Sequence, residues 1–143
     1  MGKFYDSCEQ ELILYVRQSA WLNTVPEKRE LSRLEQMRID QIEPHLPECD
    51  AVYLADYLWQ VGPTVAGGMG PAPLSHCEIA AWQANTGVEL SSWEASTLRS
   101  LSVAYLNESH EAKKLTQPAP WTAVPKALQR ENLARHIKSA LRG

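Results

Sequence analysis

The sequence lacks the motifs on which most nucleotide-binding enzymes and hydrolases depend. Its glycine-rich stretch does not end in Gly-Lys-Ser/Thr, so it lacks the charge and the magnesium ligand of a phosphate-binding loop. No G-x-S-x-G motif marks a serine nucleophile, and no cysteine stands in a recognisable nucleophile context. These absences predict that the protein is not an enzyme and that it binds no cofactor.

Metal-binding spacing is missing as well. The chain contains no paired C-x-x-C and no H-E-x-x-H. His45 and Cys49 are close in sequence, but the prolines beside and between them argue against a regular turn. His76 and Cys77 are neighbours and would point apart on a helix. We therefore expect no bound metal.

Membrane and export signals are also lacking. No window approaches the ~18 consecutive apolar residues of a membrane span, and the first residues contain no apolar stretch of signal-peptide length. The cysteines number 3 and are irregularly spaced, which favours reduced thiols in a cytoplasm. We expect a cytosolic protein that makes no membrane contact.

The composition that remains is that of an ordinary globular protein. The chain has 143 residues, 44% of them hydrophobic and 22% charged, which suits one domain with a buried core. Its net charge of −3 gives no attraction to nucleic acid. The charge is uneven, because residues 1–107 are acidic and residues 108–143 are basic. A basic end on an acidic body predicts docking on an acidic surface of this chain or of a partner, unless it is a solvated helix face.

Helical periodicity predicts an all-α fold, because the Val-, Ile- and Thr-rich alternation of strands is missing. We expect a single domain over residues 1–143, a compact bundle of about five to six helices. Its parts are an N-terminal helical hairpin (1–49), a core (50–116), and a linker with a basic C-terminal helix (117–143). A Gly/Pro-rich loop joins the third and fourth helices. The predicted helices span about 7–21, 25–42, 51–61, 75–86, 91–115 and 125–141.

Local capping sequences define most of these boundaries. Asp50 is the expected N-cap of the third helix, and Gly87 is expected to end the fourth in the left-handed conformation. Asp56 is the one acid in the apolar third helix, and we expect it to face solvent or to cap a partner. Capping boxes predict helix starts at Ser7, Thr24, Ser75 and Ser91.

The most distinctive stretch runs from Gly62 to Trp93. Glycine and proline are concentrated in its first part, between Gly62 and Pro73. This loop is either structural, with glycines at positive φ, or used for contact with another molecule. Residues 75–106 have the outline of a helix-turn-helix, but their only Lys or Arg is Arg99. DNA binding needs several cations, so we do not expect it through this unit, and the basic last helix is a separate candidate for it.

A resemblance to a known family enters at this stretch. Residues 53–106 contain W-x-x-G-P-x-x-x-G-G-M-G, then E-I-x-A-W, then T-G-x-x-L-x-x-W-E, then L-x-x-L-S-x-A-Y. This pattern resembles a small family encoded in the tail gene clusters of long-tailed bacteriophages and prophages, whose members are labelled tail assembly chaperones or uncharacterised tail proteins. The family pattern has an aromatic residue where this chain has His76.

The resemblance implies a non-enzymatic protein acting in the cytoplasm of the host cell. Such chaperones hold the tape-measure protein, the tail-tube protein, or both, until the tube polymerises. The family brings no catalytic residue. Two alternatives stay open, namely a small helical DNA-binding regulator and a minor virion component at the tail or the head–tail junction. Homo-oligomerisation also stays open.

We expect the partner-binding surface to lie in the loop and the helices that follow it. Trp82 and Trp93 are either core residues or contact residues, because aromatic side chains are common both in the cores of helical folds and at interfaces. The candidate partner-binding residues are Gly62, Pro63, Gly67, Gly68, Met69, Gly70, Leu74, Trp82 and Trp93.

Overall fold

The computed structural model describes residues 2–122, with side chains from Phe4 onward. The predicted helix 125–141 lies outside the described residues. Within these residues the mostly helical fold is confirmed: they form five helices, and a small two-stranded hairpin joins the third and fourth. The elements are α1 (Gly2–Asn23), α2 (Arg33–Ile39), α3 (Val52–Val61), β1 (Val65–Gly67), β2 (Gly70–Ala72), α4 (His76–Thr86) and α5 (Ser92–Glu111).

The core lies between α1, α3 and α5, with α4 closing one side. The predicted apolar stripes supply it: Leu12 and Val16 on α1 are fully buried, as are Leu98 and Leu101 on α5. Spacings of three and four residues place each pair on one face of its helix. Burial of each such side chain stabilises the fold by about 1.5–3 kcal/mol before the cost of ordering it.

The predicted start of α1 at Ser7 is wrong. The helix begins at Gly2, and Ser7 is an exposed residue within it. The reason is tertiary, because the extra turn carries Tyr5, whose ring lies 5.0 Å from the ring of Trp93 on α5. This aromatic contact outweighs the local preference of a serine for a cap.

The second helix is much shorter than predicted. Thr24 does not cap it, because its hydroxyl donates to the carbonyl oxygen of Ala20 at 2.7 Å. The backbone N–H of Glu27 donates to the carbonyl of Lys113 at 2.8 Å, and Lys28 adopts a left-handed φ of 64°. The chain over 25–32 is therefore bound to the end of α5, and α2 starts only after Ser32.

Of the remaining predicted helix caps, one is wrong and three are confirmed. Asp50 does not cap α3, whose N-cap is Ala51 with no side-chain hydrogen bond. Ser75 caps α4 by accepting from the backbone N–H of Glu78, and Gly87 ends that helix at a φ of 75°. Ser91 and Glu94 form the full reciprocal box of α5. Asp56 is exposed, which is one of its two predicted outcomes.

The prediction that the chain forms no strand is wrong for residues 65–72. Val65–Gly67 pairs antiparallel with Gly70–Ala72, and Gly68 and Met69 form the turn. Each strand has three residues, mostly glycine, alanine and proline. The sequence therefore contains no alternating pattern from which the strands could be predicted. Gly70 has a φ of 111°, which only glycine adopts without strain.

Candidate protein-contact surface

The base of the hairpin is fixed to α5 by one buried serine. The hydroxyl of Ser102 donates to the carbonyl of Pro63 at 2.7 Å and accepts from the backbone N–H of Leu74 at 2.8 Å. Ser102 and Leu74 have no exposed surface. One side chain therefore pairs with both backbone groups that flank the hairpin, and without it the buried N–H of Leu74 would lack a partner.

The residues that enter and leave the hairpin are also structural. Gly62 ends α3 by donating its N–H to the carbonyl of Leu58 at 3.0 Å, and its φ of 104° excludes other residues without strain. Leu74 lies just before the cap of α4, and both Leu74 and Ile79 are buried in the core, as expected of a hydrophobic staple.

The tip of the hairpin, residues 67–70, is exposed, unlike the residues at its base. Met69 is fully exposed, at 104% of its reference surface. A Cβ atom on Gly67 would lie 2.6 Å from the carbonyl oxygen of Gly70, so the hairpin itself requires a glycine there. Nothing lies within 4 Å of a Cβ placed on Gly68, and its φ is not positive. The described part of the chain gives no steric reason for glycine at 68.

The nine predicted contact residues therefore separate into two groups. Gly67, Gly68, Met69 and Gly70 are exposed and lie together at the hairpin tip. The other five are built into the fold: Leu74 and Trp82 are buried, and Gly62, Pro63 and Trp93 are half-buried. Gly62 and Pro63 act through their backbone, and Leu74, Trp82 and Trp93 pack against the helices below the hairpin.

Trp82 and Trp93 belong to a second feature, which we call the aromatic band. The rings of Tyr57 and Trp82 lie 5.0 Å apart, as do those of Tyr5 and Trp93. Phe4 extends one end of the band, at 5.7 Å from Tyr5. The band consists of Phe4, Tyr5, Tyr53, Tyr57, Trp82 and Trp93.

A hydrogen bond joins the two halves of the band. The hydroxyl of Tyr53 donates to Oε2 of Glu94 at 2.7 Å. Burial, together with this bond, raises the pKa of Tyr53 to about 12. The backbone N–H of Ser91 is the main cause that lowers the pKa of Glu94, and Tyr53 adds to it. Tyr53 is thus a neutral donor and Glu94 an anion at physiological pH.

Sequence reasoning missed Phe4, Tyr5 and Tyr53 as surface residues. These three are exposed, at 68%, 40% and 42% respectively. A signal did exist, because an aromatic residue lies in the first turns of α1, α3 and α5. What the sequence does not contain is the information that the starts of these three helices meet.

A groove of about 680 Å³ lies between α2 and the chain that follows α5. Arg33 crosses it, donating to the carbonyls of Trp21 at 3.1 Å and Lys114 at 3.0 Å, with its guanidinium carbon 4.7 Å from the centre of the Trp21 ring. Burial lowers the pKa of Arg33. Through these two bonds the guanidinium links the end of α1 to the chain that follows α5.

The described residues contain one buried carboxylate, and each of its two oxygens accepts a hydrogen bond. Glu108 accepts from Nε of Arg17 at 3.0 Å and from Nε2 of Gln117 at 3.2 Å. Within residues 2–122, no three His, Cys, Asp or Glu side chains are grouped so that they could hold a metal ion. No helix in this part of the chain is long and apolar enough to cross a membrane.

Comparison with protein-family models, with curated proteins and with solved structures finds no match to the chain. The resemblance of residues 53–106 to tail assembly chaperones therefore rests on the motif residues themselves. Among the motif residues between α3 and α4, the structure separates those at the base of the hairpin, residues 62, 63 and 74, from the exposed tip, residues 67–70.

Proposed function

We propose that the protein is a non-enzymatic tail morphogenesis factor of a long-tailed phage, acting as a tail assembly chaperone in the host cytoplasm. It binds the tape-measure protein, the tail-tube protein, or both, before the tube polymerises. The observation that carries this proposal is the fully exposed Met69 at the tip of a hairpin whose base is fixed to the core.

An assembly chaperone needs a surface that binds apolar segments and releases them later. A methionine suits this task because its unbranched, polarizable side chain adapts to differently shaped partners. Gly68 beside it leaves the backbone open to close approach, since nothing in the described structure lies within 4 Å of a Cβ there. The fixed base limits the entropy lost when a partner binds the tip.

Co-purification of the full chain with the tail-tube and tape-measure proteins of a long-tailed phage tests this proposal. We expect Met69→Ser and Gly68→Val each to reduce recovery of the partner by about tenfold, the effect of losing roughly 1.4 kcal/mol of contact. Val103→Ser is the matched control, because Val103 is an exposed apolar residue on α5. Thermal unfolding of each variant confirms that the fold is intact.

Partner recovery that is unchanged in both tip variants would exclude the hairpin tip as the contact. Presence of the protein in mature particles would instead support a virion component. Trp82→Ala is also expected to reduce partner recovery, but Trp82 is buried. That loss will therefore come with reduced stability, and the tip variants are the cleaner test.

A further inference from the structure

We infer that the aromatic band is a second binding surface, and that it takes a basic protein segment in which Lys or Arg alternates with apolar residues. The inference goes beyond the hairpin tip, because the two surfaces lie at opposite ends of α3. Tyr53 and Gly62 are separated by about 13 Å along that helix, given a rise of about 1.5 Å per residue.

The band has the composition of a protein interface. Phe4, Tyr5 and Tyr53 are exposed on it, and Val52 beside them is 37% exposed. Aromatic residues are enriched at interfaces, because they bury a large area at a small cost in side-chain entropy. The rings are held in place by one another and by the bond from Tyr53 to Glu94, so little further ordering is needed on binding.

Charge identifies the occupant. The band is carried by residues 4–16, 50–61 and 76–98, which contain no Lys or Arg. Lys3, Arg17 and Arg99 border these segments, and Arg17 is paired with Glu108 on α5 at 3.0 Å, so the set stays negative. The acids of the three segments are Asp6, Glu9, Glu11, Asp50, Asp56, Glu78, Glu89 and Glu94.

The helix dipoles do not reverse this sign. α1, α3 and α5 begin near the band, and a helix start carries about half a positive charge. Three starts thus contribute about +1.5, less than the charge of the carboxylates, and each effect is confined to the first turn. Glu94 already offsets the start of α5 through the N–H of Ser91.

A basic segment is complementary both to the aromatic rings and to the negative charge of this surface. A Lys or Arg side chain gains about 0.5–2 kcal/mol over the face of a tyrosine or tryptophan. Each oxygen of Glu94 accepts one hydrogen bond, from Ser91 or from Tyr53, and has a further lone pair for a cation. A second copy placed face to face would bring the same acids together, which is repulsive.

The test uses the full chain and two synthetic peptides of 16 residues, one alternating Lys or Arg with Leu or Ala and one with Glu in place of each cation. Isothermal titration calorimetry measures both. We expect the basic peptide to bind at least about tenfold more tightly, and to weaken several-fold from 50 to 300 mM NaCl as screening increases. Equal binding of the two peptides would overturn the inference.

Substitutions locate the surface. Phe4→Ser and Tyr53→Ala are expected to weaken the basic peptide by about fivefold or more, whereas Tyr53→Phe, which keeps the ring, is expected to weaken it less. Met69→Ser is the control and is expected to have no effect, so failure here is distinct from failure at the hairpin tip. Peptide binding that is unchanged in Phe4→Ser and Tyr53→Ala would overturn the inference.

A photo-reactive phenylalanine analogue in place of Phe4 identifies the occupant directly. Cross-linking to the added basic peptide, with little to its acidic twin, supports the inference. Cross-links confined to a second copy of the chain, or to its own residues 123–143, would overturn it.

Discussion

The base and the tip of the hairpin are neighbours in one sequence motif, but they are used differently. At the base, Ser102 pairs with both Pro63 and Leu74 and is fully buried. At the tip, Met69 is fully exposed and Gly68 has open space around it. The difference shows that a motif can combine residues that build a loop with residues that the loop presents.

The two adjacent glycines of the tip also differ in whether the fold requires them. Gly67 is required by the hairpin, because a side chain would meet the carbonyl of Gly70. Gly68 is not required by any described neighbour. A glycine that its own chain does not need is a candidate for close approach by another molecule.

The largest effect is expected for Leu74→Ala at the base. Leu74 is fully buried in the core, so the change removes apolar contact and leaves a cavity. We expect a loss of about 2–5 kcal/mol in the free energy of unfolding, measured by urea denaturation. Met69→Ala is the control and should change stability by less than about 0.5 kcal/mol. Similar losses in both variants would remove the distinction between base and tip.

Ser102→Ala is expected to have the next largest effect. It leaves the buried N–H of Leu74 without its partner and removes the bond to the part-buried carbonyl of Pro63. An unpaired buried group costs about 1–3 kcal/mol, and amide exchange of Leu74 should accelerate. Ser96→Ala, at an exposed position of the same helix, is the matched control. A neutral Ser102→Ala would show that the hairpin is not held through this serine.

A smaller effect is expected from alanine at the two glycines. Gly67→Ala should destabilise by about 1 kcal/mol, because the new Cβ atom requires the hairpin backbone to move. Gly68→Ala should be neutral or slightly stabilising, since its φ is not positive and the space is open. Thermal unfolding of the pair measures the difference. Equal effects would contradict the steric role assigned to Gly67.

The smallest effect is expected from the titration of Glu94 and Tyr53 at the aromatic band. The lowered pKa of Glu94 gives stability that is present above its ordinary value of 4.5 and lost as pH falls through the native pKa. The raised pKa of Tyr53 gives stability that is present below 10.0 and lost as pH rises through about 12.

Amide exchange separates the two regions in this experiment. Because residues 62–75 contain no titratable side chain, the hairpin amides should keep their protection while the first turn of α5 loses it at either extreme. Exposed hydrogen-bonded charges of this kind contribute below about 1 kcal/mol. Tyr53→Phe should reduce the alkaline loss at the first turn of α5 and keep most of the acid loss, because the N–H of Ser91 is the main cause that lowers the pKa of Glu94. Equal loss of protection in the hairpin would contradict this assignment.

Local rules predicted much of the fold where the interactions are themselves local. The starts of α4 and α5 and the end of α4 follow from Ser75, Ser91 and Gly87, each of which bonds within three or four residues. The apolar stripes of α1 and α5 followed from spacing alone. The same rules failed at Ser7 and Thr24, where contacts with α5 or its C-terminal end determine the chain path.

The candidate surfaces were only partly predictable. The sequence identified residues 62–93 as distinctive, but it did not separate the exposed Met69 from the buried Leu74 and Trp82. The aromatic band was not predicted, because Tyr5, Tyr53 and Trp93 are far apart in sequence and meet only when three helix starts come together.

The sequence by itself determined that the chain forms helices, where several of them begin and end, and that residues 50–98 lack Lys and Arg. Capping, helical periodicity and charge depend on near neighbours or on composition, so they can be read along the chain. The tertiary structure alone decided that residues 65–72 pair as strands and that α2 is short. It also decided which motif residues are buried. The length of α2 and the burial of the motif residues depend on contacts between distant residues, such as the bond of Ser102 to Pro63, 39 positions away. The hairpin pairs near neighbours, but its short strands lack the alternating pattern that would reveal them, and the same distant bond fixes its base.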